Sequence, residues 1–132
     1  MMSNELWQRA EDIAHDLRML YTLLTVVRCY MGRTPAYPVS GDLLDIITTL
    51  DAIAEFARTL SSEQRNRFQA FAFDIEIPFA LAREARREFT PQERHQVSEV
   101  MQILRAELEK LVSQLEREEA LVWEQIAKNT GL

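Results

Sequence analysis

Glu11, Asp12, His15 and Asp16 form the densest titratable cluster in the chain, and Asp12 with His15 makes an Asp-x-x-His pair. On a helix, a three-residue step puts carboxylate and imidazole on one face, the arrangement by which inward-facing pairs hold two metal ions in the core of certain bundles. Such a centre needs two pairs of this kind plus two further carboxylates. The second histidine, His95, has Gln92 rather than an acid three residues before it. His15 also falls on a polar stripe with Glu11, Arg18, Thr22 and Thr25. The cluster therefore reads as an acid-flanked surface histidine, and neither metal nor cofactor is expected.

Two other constellations suggest enzymes. Arg9 and His15 form Arg-x5-His, which resembles the motif of the helical HEPN ribonucleases; that resemblance implies RNA cleavage by the pair across a dimer interface. The six-residue step leaves the two about 120° apart on a regular helix, and the motif stands at the opposite end of the chain from its usual place in that family. Asp42, Asp45, Asp51 and Glu55 are similar to the acidic pairs of the all-helical nucleotide pyrophosphatases, which implies magnesium held around a triphosphate. The Glu-x-x-Glu that this family carries on the preceding helix is missing. A preference for acids in the first turn of a helix accounts for Asp42 and Asp45 without catalysis. The sequence contains no glycine-rich phosphate loop, no zinc-spaced Cys or His set and no serine nucleophile motif. Cys29 reads as a small buried residue. The leading reading is non-catalytic, with no catalytic residue named.

Arginine outnumbers lysine thirteen to two. Arg83, Arg86 and Arg87 share a helical face, with Arg94 just past the next turn, and guanidinium clusters suit phosphate or carboxylate partners. These four, with Tyr37 between two prolines, are the candidate partner or nucleic-acid contacts. Nucleic acid is not the favoured partner, because the overall balance is acidic, with 21 Asp and Glu against 15 Lys and Arg. The three arginines of the face are expected to be exposed and dispensable for stability.

The elements that must position these residues are helices. Ile13, Leu17, Leu20, Leu24, Val27 and Met31 recur at three-four spacing and predict one helix over 4–31, ended by Gly32. Two prolines between Gly32 and Gly41 make a loop. Leu43, Ile46, Ile47, Leu50, Ile53, Ala57 and Leu60 then define a second helix over 42–60. Ser61 and Gln64 form a capping-box pattern that opens a third. Residues 71–79, Phe-Ala-Phe-Asp-Ile-Glu-Ile-Pro-Phe, alternate as a strand would, yet Phe68, Phe71, Ile75, Phe79 and Ala82 satisfy helical spacing, so helix is expected over 62–88 with Pro78 kinking or splitting it. Thr90, Pro91 and Glu93 are a strong start signal for a last helix over 91–129.

These elements predict a single all-α domain over residues 1–132, an elongated antiparallel bundle of four helices, five if Pro78 breaks the third, with a long carboxyl-terminal helix. The longest uncharged run, residues 19–27, is far short of a bilayer span, and the amino terminus has no secretory pattern, so a cytoplasmic protein is expected. The last helix, about 58 Å long, should overhang the first three and expose its apolar end. Leu121, Val122 and Ile126 are therefore the self-association candidates, and a homodimer or a protein partner is expected. Trp7 and Trp123 should meet at one pole of the bundle. The function expected is a helical interaction module that self-associates or serves as a small subunit of a larger assembly. A small helical subunit contacting nucleic-acid backbone, similar in architecture to those of CRISPR effector complexes, is the alternative, followed by the two enzymes above.

Overall fold

The computed structural model describes residues 4–32 and 41–130. Four helices follow one another: α1 (Asn4–Gly32), α2 (Gly41–Phe56), α3 (Ser62–Glu84) and α4 (Pro91–Thr130). Each packs on two neighbours, α1 on α2 and α4, and α3 on α2 and α4, so they form an antiparallel ring around one core. The α1–α4 contact is the most extensive and the α3–α4 contact the thinnest. At the centre lie Ile13, Leu20, Leu23, Val27, Leu43, Ile46, Leu50, Ile53, Ile75, Met101, Leu104 and Leu108, all fully buried. Burying each such side chain contributes about 1.5–3 kcal/mol. No helix of the described residues is long and apolar enough to cross a membrane.

Both expected capping boxes are present. The Ser61 hydroxyl accepts from the Gln64 amide at 3.1 Å while Gln64 Oε1 accepts from the Ser61 amide at 2.9 Å. Thr90 and Glu93 exchange the same bonds at 3.1 and 2.9 Å. These reciprocal bonds satisfy amides that the first turn of a helix leaves without partners.

Two helices are shorter than their apolar patterns suggest, and each stops for a visible reason. α2 ends at Phe56 rather than Leu60 because the amides of Arg58 and Thr59 donate to the Asp16 carboxylate instead of continuing the ladder. Ala57 and Leu60 remain buried without being helical. α3 ends at Glu84 rather than Glu88 in a Schellman motif, with the Arg87 amide on the Ala82 carbonyl and the Arg86 amide on the Arg83 carbonyl, both at 3.1 Å. Arg86 occupies the left-handed position of that motif at φ 52°. The reversal turns the buried ring of Phe89 back into the core before α4 begins. Pro78 lies buried inside an uninterrupted α3, so the described residues form four helices, not five.

The overhang is built differently from the expectation. The α2–α3 corner sits against Asp16, twelve residues or about 18 Å into α1. The start of α3 stands level with Gln114, which lines one groove with Gln64. Beyond that level α1 and α4 continue together: Arg9 pairs with Glu118 at 3.0 Å, and the rings of Trp7 and Trp123 meet edge to face at 5.3 Å between centroids. The two tryptophans thus share one pole as expected. What projects is a two-helix stalk of α1 and α4, because α1 supports the last helix that was expected to extend alone.

Candidate interaction surfaces

The stalk and the bundle below it present different surfaces. On α4 the stripe facing α3 runs through Glu107, Leu111 and Gln114, which line the α3–α4 groove with Arg67, Phe68 and Phe71. Arg67 closes this groove with a paired contact to the Glu107 carboxylate, which holds the guanidinium pKa above its usual value, and its guanidinium also stacks 5.1 Å from the Phe71 ring. Continued at three-four spacing, the stripe passes Glu118 and reaches Leu121, where α3 has already ended. Leu121 is 61% exposed. Trp7 and Trp123 are also partly exposed.

The other two self-association candidates divide. Val122 is partly buried against the core, and Ile126 is 3% exposed. The expectation that Ile126 is free for a partner is corrected: its side chain is buried, about one turn beyond the Trp7–Trp123 contact between α1 and α4. A substitution there would test folding rather than association.

The arginine candidates also separate. Arg83 lies with its guanidinium 5.5 Å from the Phe79 ring, and Arg86 is exposed at the helix terminus. Arg87 is engaged twice, donating to the Glu88 carbonyl at 3.0 Å and to Glu93 at 2.6 and 3.2 Å. That pair raises the Arg87 pKa; the Arg87 bond, with help from the Thr90 amide, draws the Glu93 carboxyl down to about 2. All three are exposed, as expected, and Arg87 alone of them is tied into an ion pair among the described residues, at the corner that precedes α4. Arg94 faces elsewhere, lining a cleft between α1 and α4 with Tyr30, Met31 and Met101. Burial, then the charge of Asp42, pushes the Tyr30 hydroxyl up to about 12. The four arginines therefore divide among an aromatic ring, a helix terminus, an ion pair and a cleft. Tyr37 lies outside the described residues.

The acidic cluster is a joint in the fold. Asp16 is fully buried and accepts from the Arg58 amide at 2.9 and 3.0 Å, the Thr59 amide at 2.6 Å and the Thr59 hydroxyl at 2.5 Å. His15 Nδ1 lies 2.9 Å from its other oxygen, and Asp12 contacts the Arg58 guanidinium at 3.6 Å. Burial alone would raise the Asp16 pKa, but the Thr59, Arg58 and His15 hydrogen bonds outweigh it and hold the carboxyl below its usual value. The sequence reading placed this cluster at the surface. The missed signal was spacing, since Ile13, Asp16, Leu20 and Leu23 follow the buried three-four pattern and an acid in that row needs donors.

Asp45, Asp51 and Glu55 point outward on α2. Among the described residues, no three His, Cys, Asp or Glu side chains converge as a metal site. Cys29 is exposed rather than buried, because the buried face of α1 steps from Val27 to Tyr30 and leaves it outside.

A further surface went unread in the sequence. Phe73, Ile77 and Leu81, at four-residue steps, are 61%, 45% and 53% exposed on α3, opposite the inward Phe71, Ile75 and Phe79. The strand-like alternation of residues 71–79 is the trace of a helix that is apolar on both faces. Comparison with protein-family models, with curated proteins and with solved structures returns no match.

Proposed function

We propose that this chain is a non-catalytic helical interaction module that self-associates through its stalk, acting as a small subunit of a cytoplasmic assembly. The observation that supports this reading is Leu121: it lies on the stripe of α4 that α3 covers lower down, yet is 61% exposed where α3 is absent. A second copy docking its own stalk there supplies the missing layer. Such a contact is isologous, closing as a dimer rather than extending into a fibre. The half-exposed Trp7 and Trp123 pair adds large apolar surface at the same level.

Light scattering at micromolar concentration tests this reading. The wild type should give twice the 15.4 kDa chain mass, and Leu121→Asp should give the chain mass with unchanged melting, since an exposed side chain supports no core contact. A monomeric wild type, or a dimer that Leu121→Asp leaves intact, would overturn it.

A further inference from the structure

The outward row of α3 lies apart from the stalk. Phe73, Ile77 and Leu81 form one strip along the helix, each with about half or more of its surface exposed. Acids border the strip: Asp74 lies toward the α4 side, Glu76 toward the α2 side and Glu84 at its end. None of these three makes an ion pair among the described residues. Elsewhere on α3 and its corner, Arg67 pairs with Glu107 and Arg87 with Glu93, while the exposed Arg83 and Arg86 form no ion pair among the described residues and stand with Glu84 at the end of the strip, so its middle is flanked by the acids Asp74 and Glu76.

We infer that the Phe73–Ile77–Leu81 face of α3 docks an amphipathic helix from a different protein, with apolar residues at three-four spacing and basic residues flanking them. The apolar strip supplies the area of a helix-on-helix contact, in which anchors at i, i+4 and i+8 fit between the side chains of the partner. The acids select the partner's charge. A second copy centred on Ile77 would bring the acids Asp74 and Glu76 toward their own counterparts at the middle of the contact, and like charges across an interface cost affinity. An anionic lipid surface is disfavoured for the same reason.

The probe is an 18-residue Leu/Lys peptide with its leucines at three-four spacing on one face, compared with its Leu/Glu counterpart by calorimetry on the full chain. The Leu/Lys peptide should bind at least about tenfold more tightly than the Leu/Glu peptide, and Ile77→Glu should weaken it at least about tenfold, the loss typical of a central anchor. A triple variant, Asp74→Lys, Glu76→Lys and Glu84→Lys, should reverse the preference between the peptides. The control triple Asp45→Lys, Asp51→Lys and Glu55→Lys makes the same change in net charge on α2 and should keep the wild-type preference. Should Ile77→Glu fail to fold, the two triples decide the matter alone.

Equal affinity for both peptides, binding of neither, or a preference reversed by the α2 triple as well would overturn the inference. So would Ile77→Glu converting a dimer to a monomer, which would make a second copy the occupant, or Ile77-dependent binding to vesicles of phosphatidylserine and phosphatidylcholine. Leu121→Asp should leave peptide binding unchanged, which separates failure at this face from failure of stalk association.

Discussion

The hydroxyl of Thr59 donates to the Asp16 carboxylate at 2.5 Å, joining α1 to the corner between α2 and α3 across 43 residues of sequence. Through the same carboxylate, the amides of Arg58 and Thr59 receive the partners that the end of α2 would otherwise deny them. One side chain thus ends a helix, sets the height of the α2–α3 corner and so defines where the stalk begins.

Removing that carboxylate should be costly. Asp16→Ala leaves buried amides without acceptors, at about 1–3 kcal/mol for each unsatisfied group, and a total loss of about 2–4 kcal/mol is expected from urea unfolding. Asp16→Asn keeps the shape but loses the charge and one set of acceptor lone pairs, so it should fall between Ala and wild type. A loss below about 0.5 kcal/mol for Asp16→Ala, the level of an ordinary surface change, would show that the joint is dispensable.

Acid should weaken the fold through Asp16 and Glu93 together. Both carboxyls titrate lower in the folded chain than their ordinary 3.8 and 4.5, Glu93 at about 2 through its bond to Arg87. The unfolded chain therefore takes up protons first as the pH falls, and protonation favours unfolding. Their contribution is complete above about pH 5 and declines as the pH drops through the unfolded values toward 2. Urea midpoints measured from pH 7 to pH 2.5 should fall with acid, and less steeply in Glu93→Gln. An identical slope in that variant would rule out the Arg87–Glu93 pair as a source.

Arg86 is the one non-glycine residue with positive φ among those described, at 52° in the left-handed position of the α3 Schellman motif. Holding a side chain there costs about 1 kcal/mol, which glycine avoids. Arg86→Gly should accordingly raise stability by several tenths to about 1 kcal/mol, after allowance for the freer unfolded chain. A destabilised Arg86→Gly variant would mean that the arginine side chain makes a contact worth more than the backbone relief.

The architecture was legible wherever one row of side chains answers to one environment. The seam from Ile13 to Val27, the capping residues Ser61, Gln64, Thr90 and Glu93, and the shared pole of Trp7 and Trp123 follow from spacing and chain direction alone. What stayed hidden depends on a second element. Asp16 looks like one more acid until Arg58 and Thr59 arrive beside it. Arg87 looks free until Glu93 reaches back across the corner. Ile126 looks exposed until α1 and α4 are seen to continue together past Arg9 and Glu118 to the tryptophan pair, and Phe73, Ile77 and Leu81 were masked by an alternation that two opposed faces of one helix produce.

The Trp7–Trp123 pair allows the stalk itself to be measured. Edge-to-face aromatic pairs add about 0.5–1.5 kcal/mol beyond the area they bury, and this pair lies at the far end of the α1–α4 contact, 5.3 Å between centroids. A double-mutant cycle with Trp7→Ala and Trp123→Ala should therefore return a coupling within that range, because each ring is the other's partner across the stalk and nothing else in the cycle changes. If the stalk forms the proposed dimer, each single substitution should also weaken association, while Phe73→Ala on the distant α3 face should not. A coupling near zero would mean that α1 and α4 part above Arg9 and Glu118, leaving no rigid stalk for a second copy to pair with.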